Sequence, residues 1–322
     1  MRFFSLRQAF VATMLIGLAA ITSDAQELEP RRWGHLPIGT NFAGVGYAYT
    51  KGDIAFNPLL RIEDASLDLH TGAFRYIHAF ELLDRTMRIG LVQGYQQARW
   101  QGLLDGQPAT AARTGWSDTV LRLSTSLIGA PPLEGEEFRE YRKSVSGSEM
   151  IVGAGIAVHL PTGHYQEDKL LNLGSNRFTI RPQLGVVHTR GRWSMELSGA
   201  AWIFTDNDDF FGGKHLENDP LFTAQAHLVY NFRPGLWIGT GIGYGGGAQS
   251  TVDGFNNDDR RGNLMWGVSA GYPITPKFGI KAAYVGMRAQ ERVGADLDTC
   301  LLYTSPSPRD HLSYLVCRLL LE

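Results

Sequence analysis

The sequence has 322 residues, with 30 Lys and Arg against 32 Asp and Glu, and a formal net charge of −2. A net charge this close to zero argues against a nucleic-acid partner, because proteins that bind nucleic acids carry a strongly basic surface. Both cysteines, Cys300 and Cys317, lie near the C-terminus. The remainder of the chain has no cysteine for a disulfide, so it must be stabilised by its own core or by a membrane.

The first 25 residues are typical of a secretory signal peptide. Arg2 and Arg7 flank a short basic region, an apolar run extends from Phe10 to Ile21, and small residues precede position 26. The apolar run is shorter than the roughly 20 residues that a spanning helix needs, which argues against a membrane anchor. We therefore predict that residues 1–25 are removed.

The C-terminal residues differ in pattern from the rest of the chain. Polar and apolar residues alternate up to Thr299, and the string from Cys300 to Asp310 breaks that alternation. The string resembles the in-frame translation of a transposase adapter used in preparing sequencing libraries. We expect residues 300–322 to be a non-native tail and residues 26–299 to form one domain. A genuine loop followed by a terminal helix is the alternative.

Strict alternation of apolar and polar residues predicts an all-β protein. From Phe222 to Phe232 the apolar residues occupy every second position, and Gln225 and His227 lie on the opposite face. Similar runs predict eleven strands, at 41–50, 68–80, 86–97, 115–127, 149–160, 177–189, 192–204, 222–232, 235–246, 263–272 and 277–288. Most have the ~9–11 residues that a tilted membrane strand requires.

These strands predict an antiparallel transmembrane β-barrel of about 12 strands, because a closed sheet satisfies every backbone group in lipid. Single-chain bacterial barrels have an even number of strands. The twelfth strand falls where the foreign-looking tail begins, so we expect the last strand to be missing from this chain.

The predicted connections alternate between short turns and long polar loops, as in outer-membrane barrels. The long loops are expected at 51–67, 98–114, 161–176, 205–221 and 248–262. One joint on the short side, 129–148, is also long, and Leu133 to Ser144 predicts a small helix within it. This helix either caps the barrel or lies partly inside it, and we favour the cap.

Polar residues on the inward faces of the strands are candidates for the pore wall, where they would wet the lumen and set its selectivity. The predicted pore-lining residues are Arg88, Asp118, Arg122, Arg177, Arg181, Gln183, Glu196, Gln225, His227 and Lys281. The alternative is a plugged barrel in which these charges pair structurally.

The connection at 161–176 contains more turn-forming residues than a hairpin needs. A proline fixes one backbone angle, glycines permit positive φ values, and asparagines can cap their own backbone. The residues of this loop motif are Pro161, Gly163, Tyr165, Asn172, Gly174 and Asn176. We expect the loop to fold over or into the outer mouth and, with Arg177 and Arg181, to shape the passage.

Patterns that mark catalysis or metal binding in other proteins lack their structural context here. Gly267-x-Ser269-x-Gly271 matches a nucleophile elbow, but a proline at 273 prevents a helix from following. The glycines at 241–246 match a dinucleotide fingerprint without a βαβ unit. Acidic stretches at 206–209 and 256–259 could hold calcium, although solvated loop tips are favoured. We predict no catalytic residue, no metal and no cofactor.

Short motifs are distributed along the whole domain. They are Trp33-Gly-His-Leu-Pro37-x-Gly39, Gly115-x-x-Asp118, Ala130-Pro131 with Glu137-Phe138 and Tyr141, Pro161-x-Gly163-x-Tyr165, and Asn172-x-Gly174-x-Asn176-Arg177. Over roughly residues 33–290 this set resembles the transporter family named after the meta-cleavage pathway of phenol degradation. The resemblance implies an outer-membrane β-barrel and passage of aromatic or other hydrophobic compounds. Phe178, where the family often has Trp, is a departure.

The leading hypothesis is an outer-membrane channel for passive uptake of small compounds, aromatic or hydrophobic ones included, and not an enzyme. Its expected partners are outer-membrane lipid, a small-molecule solute and the barrel assembly machinery, with no nucleic acid. The alternatives are a barrel enzyme that acts on lipids and a soluble periplasmic β protein.

Overall fold

A computed structural model describes residues 28–56, 61–145, 147–275 and 278–306. The predicted signal peptide at 1–25 and residues 307–322 of the predicted tail lie outside this range.

The described residues form seventeen strands and one helix. The strands are β1 Asn41–Ala55, β2 Ile62–Leu82, β3 Arg85–Leu104, β4 Gln107–Trp116, β5 Thr119–Ile128, β6 Ser148–Leu160, β7 Thr179–Arg190, β8 Trp193–Phe204, β9 Asn207–Phe210, β10 Lys214–Asn218, β11 Leu221–Arg233, β12 Leu236–Gly247, β13 Ser250–Val252, β14 Phe255–Asn256, β15 Arg261–Pro273, β16 Phe278–Ala289 and β17 Gly294–Pro306. The helix, α1, is Gly135–Ser144.

Twelve of these strands close into an antiparallel barrel. The sheet order is β2-β1-β17-β16-β15-β12-β11-β8-β7-β6-β5-β3, and β3 pairs back to β2. An additional strand, β4, pairs with the outer part of β3, in line with β5. The predicted all-β antiparallel barrel of about 12 strands is therefore confirmed, and each of the eleven predicted strands is present.

The expectation that the last strand is missing is wrong, because β17 closes the barrel between β16 and β1. Leu297 pairs with Met287 and Gly52, and Tyr303 pairs with Lys281 and Gly46. The alternation in fact continues through the boundary we predicted: Leu297 and Thr299 are buried, whereas Leu302 is exposed. Residues 300–306 therefore supply half of the closing strand. The foreign origin of residues 300–322 stays a prediction.

The outer surface of the barrel is apolar, as the alternation predicted. Phe222, Leu228 and Phe232 are 63%, 40% and 51% exposed, whereas His227 on the opposite face is 6% exposed. Outward apolar residues recur on every long strand of the barrel and form the lipid-facing belt of a transmembrane barrel. No helix in the part of the chain that the structure describes has the length and apolar character needed to cross a bilayer.

The connections at the outer end hold more strand than the sequence predicted. Residues 98–114, predicted as a loop, continue β3 and β4 as a two-stranded ribbon that turns at Asp105-Gly106, both with positive φ. Such a turn matches the twist of the flanking strands. The connections at 205–221 and 248–262 contribute a small sheet of order β14-β13-β10-β9. The connection at 161–176 is free of regular structure, as expected.

Helix α1 lies at the inner end of the barrel, where the turns are short. Its buried residue, Phe138, contacts the ring of His35 edge-on at 4.7 Å between centroids. Glu136 and Glu137 in its first turn are exposed, and their negative charges interact favourably with the positive end of the helix dipole. This arrangement fits the cap that we favoured over a helix inside the barrel.

Leu228 in the lipid-facing belt offers a direct test of the membrane-spanning fold. Replacing Leu228→Arg should destabilise the barrel by about 2–4 kcal/mol, because Leu228 points outward from the middle of β11 and a cation is costly at the bilayer midplane. Denaturant unfolding in lipid vesicles, followed by tryptophan fluorescence, measures this change. Gln101→Arg, on the exposed ribbon, is the matched control, and equal costs at the two positions would contradict the membrane assignment.

Candidate functional site

The lumen of the barrel contains residues 28–40, which we call the N-terminal segment. Glu29 lies among cations and a phenol of the wall: its carboxylate is 3.3 Å from Arg75 Nη1 and 3.7 Å from Lys281 Nζ, and it accepts a hydrogen bond from the Tyr303 hydroxyl at 3.0 Å. One carboxylate therefore ties this segment to β2, β16 and β17 at once.

Trp33 is seated on two paired glycines of the wall. Gly153 in β6 faces Gly185 in β7 across the ladder, and a Cβ at either position would lie within 2.3 or 2.0 Å of the indole. Trp33 is only 3% exposed and packs with Ile151 and Val187. The glycine pair is therefore a receptor for this side chain, a role that the sequence patterns did not predict.

Further hydrogen bonds attach the N-terminal segment to the wall. The Arg31 amide donates to both oxygens of Glu196, at 2.7 and 2.9 Å. Arg32 Nη1 donates to Gln183 Oε1 at 3.2 Å, and its carbonyl accepts from Arg88 Nη1 at 2.9 Å. Several predicted pore-lining residues thus hold the N-terminal segment, which fits the plugged alternative for this part of the lumen.

The outer half of the lumen is largely apolar on one side. Buried side chains from the inner faces of β1–β3 and β15–β17 form one cluster, which includes Leu67, Trp100, Val285 and Leu297. Leu173 of the loop at 161–176 is buried in the same cluster. The sequence predicted charged and polar residues on the inner wall, and it did not predict this apolar side.

The opposite side of the outer half carries cations stacked on aromatic rings. The guanidinium carbon of Arg181 lies 4.3 Å from the Trp202 ring centroid, and that of Arg177 lies 4.6 Å from the Phe204 centroid. Arg177 Nη1 also donates to Asn218 Oδ1 at 2.6 Å. Such cation–π pairs strengthen when water is excluded, and Arg177 and Arg181 are both buried.

A small cavity lies between these two sides. Its lining includes Arg32, Arg181, Gln183, Trp202, Gln225 and Met265. Three of the predicted pore-lining residues, Arg181, Gln183 and Gln225, therefore meet at one place. His227 lies deeper, with its ring packed over Gly241, and Arg122 faces inward from β5 without reaching this cavity.

Asp118 lies at the outer end of the wall, where it anchors the loop at 161–176. Its Oδ1 accepts from the Gly163 amide at 2.9 Å, and its Oδ2 accepts from the Ser175 amide at 2.9 Å and from the Ser175 hydroxyl at 2.6 Å. One carboxylate therefore joins both ends of the loop to the break between β4 and β5.

The loop motif is explained by the contacts that its residues make. Gly163 and Gly174 pass so closely that a Cβ on either would lie 2.7 Å from the other. Asn172 bridges its own loop, accepting from the Gln166 amide at 2.9 Å and donating to the Lys169 carbonyl at 2.9 Å. These contacts hold the loop in the conformation that places Leu173 in the lumen.

The end of the loop is joined to the outer sheet through Asn207, which is 2% exposed. Asn176, at φ 53°, donates to Asn207 Oδ1 at 3.0 Å, and Asn207 donates to the Tyr165 hydroxyl at 3.1 Å. Tyr165 in turn donates to the Asp209 carbonyl at 3.1 Å. Tyr165 and Asn176 therefore act as structural connectors. Asn207 was not predicted, because its partners are about thirty or more positions away.

The acidic outer loops collect around a histidine. His215 Nδ1 is 2.6 Å from Asp208 Oδ1, and its Nε2 is 3.0 Å from Glu217 Oε1. The hydrogen bond to Asp208, with that to Glu217 and the charge of Asp206, raises the pKa of His215. These acids therefore favour the protonated form of the ring. Within the described ranges, no group of three or more His, Cys, Asp or Glu side chains is arranged to hold a metal ion.

The Asp118 anchor predicts a specific loosening of the loop. Asp118→Ala should leave two backbone amides without their acceptor, at a cost of about 1–3 kcal/mol, so trypsin should cleave after the exposed Lys169 roughly tenfold or more faster. Timed proteolysis of folded protein in vesicles measures the rate. Asp105→Ala, on the neighbouring ribbon, is the control, and an unchanged rate in Asp118→Ala would show that the anchor does not hold the loop.

We expect His35 to make the inner rim sensitive to pH. Its Nε2 bonds the Pro131 carbonyl at 2.8 Å, and burial lowers the pKa of the ring to about 4. A histidine ring exposed to water has a pKa near 6.5. An N-terminal segment released from the wall therefore binds more protons between pH 6.5 and 4 than the docked segment does. The free energy of docking this segment should weaken by about 3 kcal/mol as pH falls from 7 to 4.

Amide exchange of Ile38, whose N–H donates to the Leu133 carbonyl at 3.1 Å, reports this docking. Its protection, corrected for intrinsic exchange, should fall about 100-fold from pH 7 to pH 4. The His35→Phe variant keeps a ring and should lose most of this dependence, which separates His35 from the nearby Arg142–Glu149 pair. Identical pH profiles in the two proteins would refute the assignment to His35.

The sequence and the fold both match known proteins. The model of the family described as the MetA-pathway of phenol degradation matches residues 40–292. The structure is similar to an outer membrane channel from Pseudomonas putida F1, with a TM-score of 0.71 and 25% identity, over 87% of this chain and 100% of that chain.

More distant similarities concern other outer-membrane barrels. The transport unit of the autotransporter AIDA-I from Escherichia coli has a TM-score of 0.49 and 8% identity, over 89% of this chain and 95% of that chain. Outer membrane phospholipase A from Escherichia coli has a TM-score of 0.38 and 14% identity, over 93% of this chain and 98% of that chain. No curated protein matches the sequence.

The family model spans most of the chain, and the barrel is closed, apolar outside and partly charged within. The protein therefore belongs to the MetA-pathway of phenol degradation family and is a β-barrel of the outer membrane.

Proposed function

We propose that this chain is an outer-membrane channel for passive uptake of small aromatic or hydrophobic compounds. The observation that carries the proposal is that the lumen is filled by a separate segment instead of a continuous core. The barrel ladder is complete without the N-terminal segment, whose side chains reach the wall through Glu29 and Trp33. Displacement of the segment would open the lumen without breaking any strand pairing.

The wall itself suits solutes with apolar surface. The apolar cluster that includes Leu67, Trp100 and Leu297 would shield such a solute from water in the outer half, and the loop at 161–176 covers it from outside through Leu173. The similarity to the Pseudomonas putida channel and the family's association with phenol degradation support the same solute class.

A barrel enzyme acting on lipids is less well supported. Ser269, the serine of the elbow-like pattern, lies inside β15 and pairs with Gly239 and Ala283 in the ladder. It is therefore not presented on a strand-to-helix corner, where that motif would activate it. We propose that the protein is not an enzyme and that its partners are outer-membrane lipid, the solute and the barrel assembly machinery. Lipid hydrolysis by the purified protein would contradict this.

If the N-terminal segment closes the lumen, removal of its Trp33 side chain should increase conductance. Trp33→Ala should raise single-channel conductance severalfold in planar bilayers, because the indole fills the space against Gly153 and Gly185 and its loss frees the segment. Recordings in KCl, with liposome swelling by neutral solutes as a second measurement, test the change.

Trp193→Ala is the matched control. Trp193 is 51% exposed on the outer surface at the inner rim, so its removal should leave conductance unchanged. A folded Trp33→Ala protein with wild-type conductance would show that the segment does not close the passage. Absence of conductance in both the folded wild-type and the folded Trp33→Ala protein would refute the channel itself.

A further inference from the structure

The carboxylate of Glu29 occupies a cationic site on the barrel wall. Arg75 Nη1 lies 3.4 and 3.3 Å from its two oxygens, and Lys281 Nζ lies 3.7 Å from one of them. Among the side chains that the structure describes, Glu29 is the single carboxylate that pairs with either cation. Tyr303 also donates to it at 3.0 Å, but residue 303 lies in the tail of predicted foreign origin, so the two cations define the site. The wall therefore already binds a carboxylate, which the N-terminal segment supplies.

The geometry of this contact is not the best that the two cations offer. Charge-assisted hydrogen bonds ordinarily measure about 2.7–2.9 Å, and a guanidinium binds a carboxylate best through two parallel N–H donors. Glu29 instead receives both contacts from one nitrogen of Arg75, at 3.3 and 3.4 Å. The Glu196 carboxylate holds the Arg31 amide close by in the chain, which limits how far Glu29 can shift. An untethered carboxylate has no such restraint and can form the shorter pair.

Exchange of Glu29 for another carboxylate should cost little free energy. The side chains of Arg75, Lys281 and Glu29 keep 35%, 20% and 21% of their surface accessible, so the ion pairs are not sealed from small molecules. An ion pair that retains access to water stabilises a contact only modestly. An incoming carboxylate would also restore the charge contacts that Glu29 breaks as it leaves, so neither cation would remain as an unpaired charge in the lumen.

The residue before Glu29 fills an apolar site. Leu28 is 5% exposed and belongs to the apolar cluster of the outer half of the lumen. Gly267 leaves room for it, because a Cβ there would lie 3.2 Å from Leu28 Cδ2, and Val285 packs in the same cluster. Withdrawal of the N-terminal segment would thus free an apolar site together with the cationic one. A small molecule with a carboxylate and an apolar body matches both sites.

From these observations we propose that the wall site of Arg75 and Lys281 binds the carboxylate of small organic acids with an apolar body. While the lumen is closed, Glu29 and Leu28 occupy this site in place of the solute. The inference rests on the proposed channel function, because the N-terminal segment must leave the wall before a solute can enter. It names the charge class of the solute and identifies Glu29 as the contact that the solute replaces.

Phenylacetate and phenylacetamide are matched probes of nearly equal size that differ in charge, and acetate carries the charge without the apolar body. Isothermal titration calorimetry of the folded protein in detergent micelles measures their Kd. The wild-type protein should bind phenylacetate weakly, because Glu29 leaves only a small fraction of the sites free. Acetate and phenylacetamide should each bind more weakly still, because each matches only one half of the site.

Glu29→Gln should bind phenylacetate about tenfold or more tightly than the wild type does, because loss of the competing charge raises the fraction of free sites. Adding Lys281→Met to Glu29→Gln should weaken this binding about tenfold, because the charge is lost while the length of the side chain is nearly kept. The control is Glu81→Gln, which makes the same change at the exposed inner end of β2 and should leave the wild-type Kd unchanged.

Heat-modifiable migration shows which proteins are folded, and Glu29→Ala or Arg75→Gln replaces a variant that is not. Equal affinity of the Glu29 variant and the wild type for phenylacetate, or equal affinity of the Glu29 variant for phenylacetate and phenylacetamide, overturns the carboxylate site. Conductance tests the channel separately. Charge-dependent binding without conductance in folded wild-type and Trp33→Ala protein overturns the channel and leaves the site, whereas conductance without such binding overturns the site and leaves the channel.

Discussion

The structure depends on the hydrogen bonds between β17 and β1. In lipid, each unpaired backbone group costs several kcal/mol, so a barrel with two open edges is not a stable membrane structure. The register from Gly46 opposite Tyr303 to Ala55 opposite Gly294 joins the first strand to the last and removes both edges. The closed wall then separates the apolar belt outside from the lumen within.

Closure creates an interior that must then be filled. Facing inward, the strands contribute cations, glycines and an apolar cluster, and the N-terminal segment contributes Glu29 and Trp33 as complements to them. The glycine pair below Trp33 shows how the wall is shaped for this segment, because any side chain there would collide with the indole. The segment therefore occupies the lumen through side-chain contacts that are independent of the barrel ladder.

The outer mouth is organised by a second set of contacts. Asp118 ties both ends of the loop at 161–176 to the wall, and Asn207 ties the same loop to the small outer sheet. The glycines and asparagines of the loop motif are explained by this conformation and do not line the cavity. The residues that border the cavity, Arg181 and Gln183, come from the strand that follows the loop. The residues that hold the loop and the residues that line the cavity are thus separate sets.

Alternation along the chain was enough to predict the strands, their facing and the class of barrel, because a period of two is a local property that each strand carries. It also predicted Arg181, Gln183 and Gln225 as inward residues, and the structure brings these three to one cavity. The folded barrel was needed to show that residues 294–306 close it, that Trp33 lies on Gly153 and Gly185, and that Asp118 holds a loop more than forty positions away. These outcomes depend on which strands become neighbours and what the closed wall then encloses, and alternation along one strand contains no information about either.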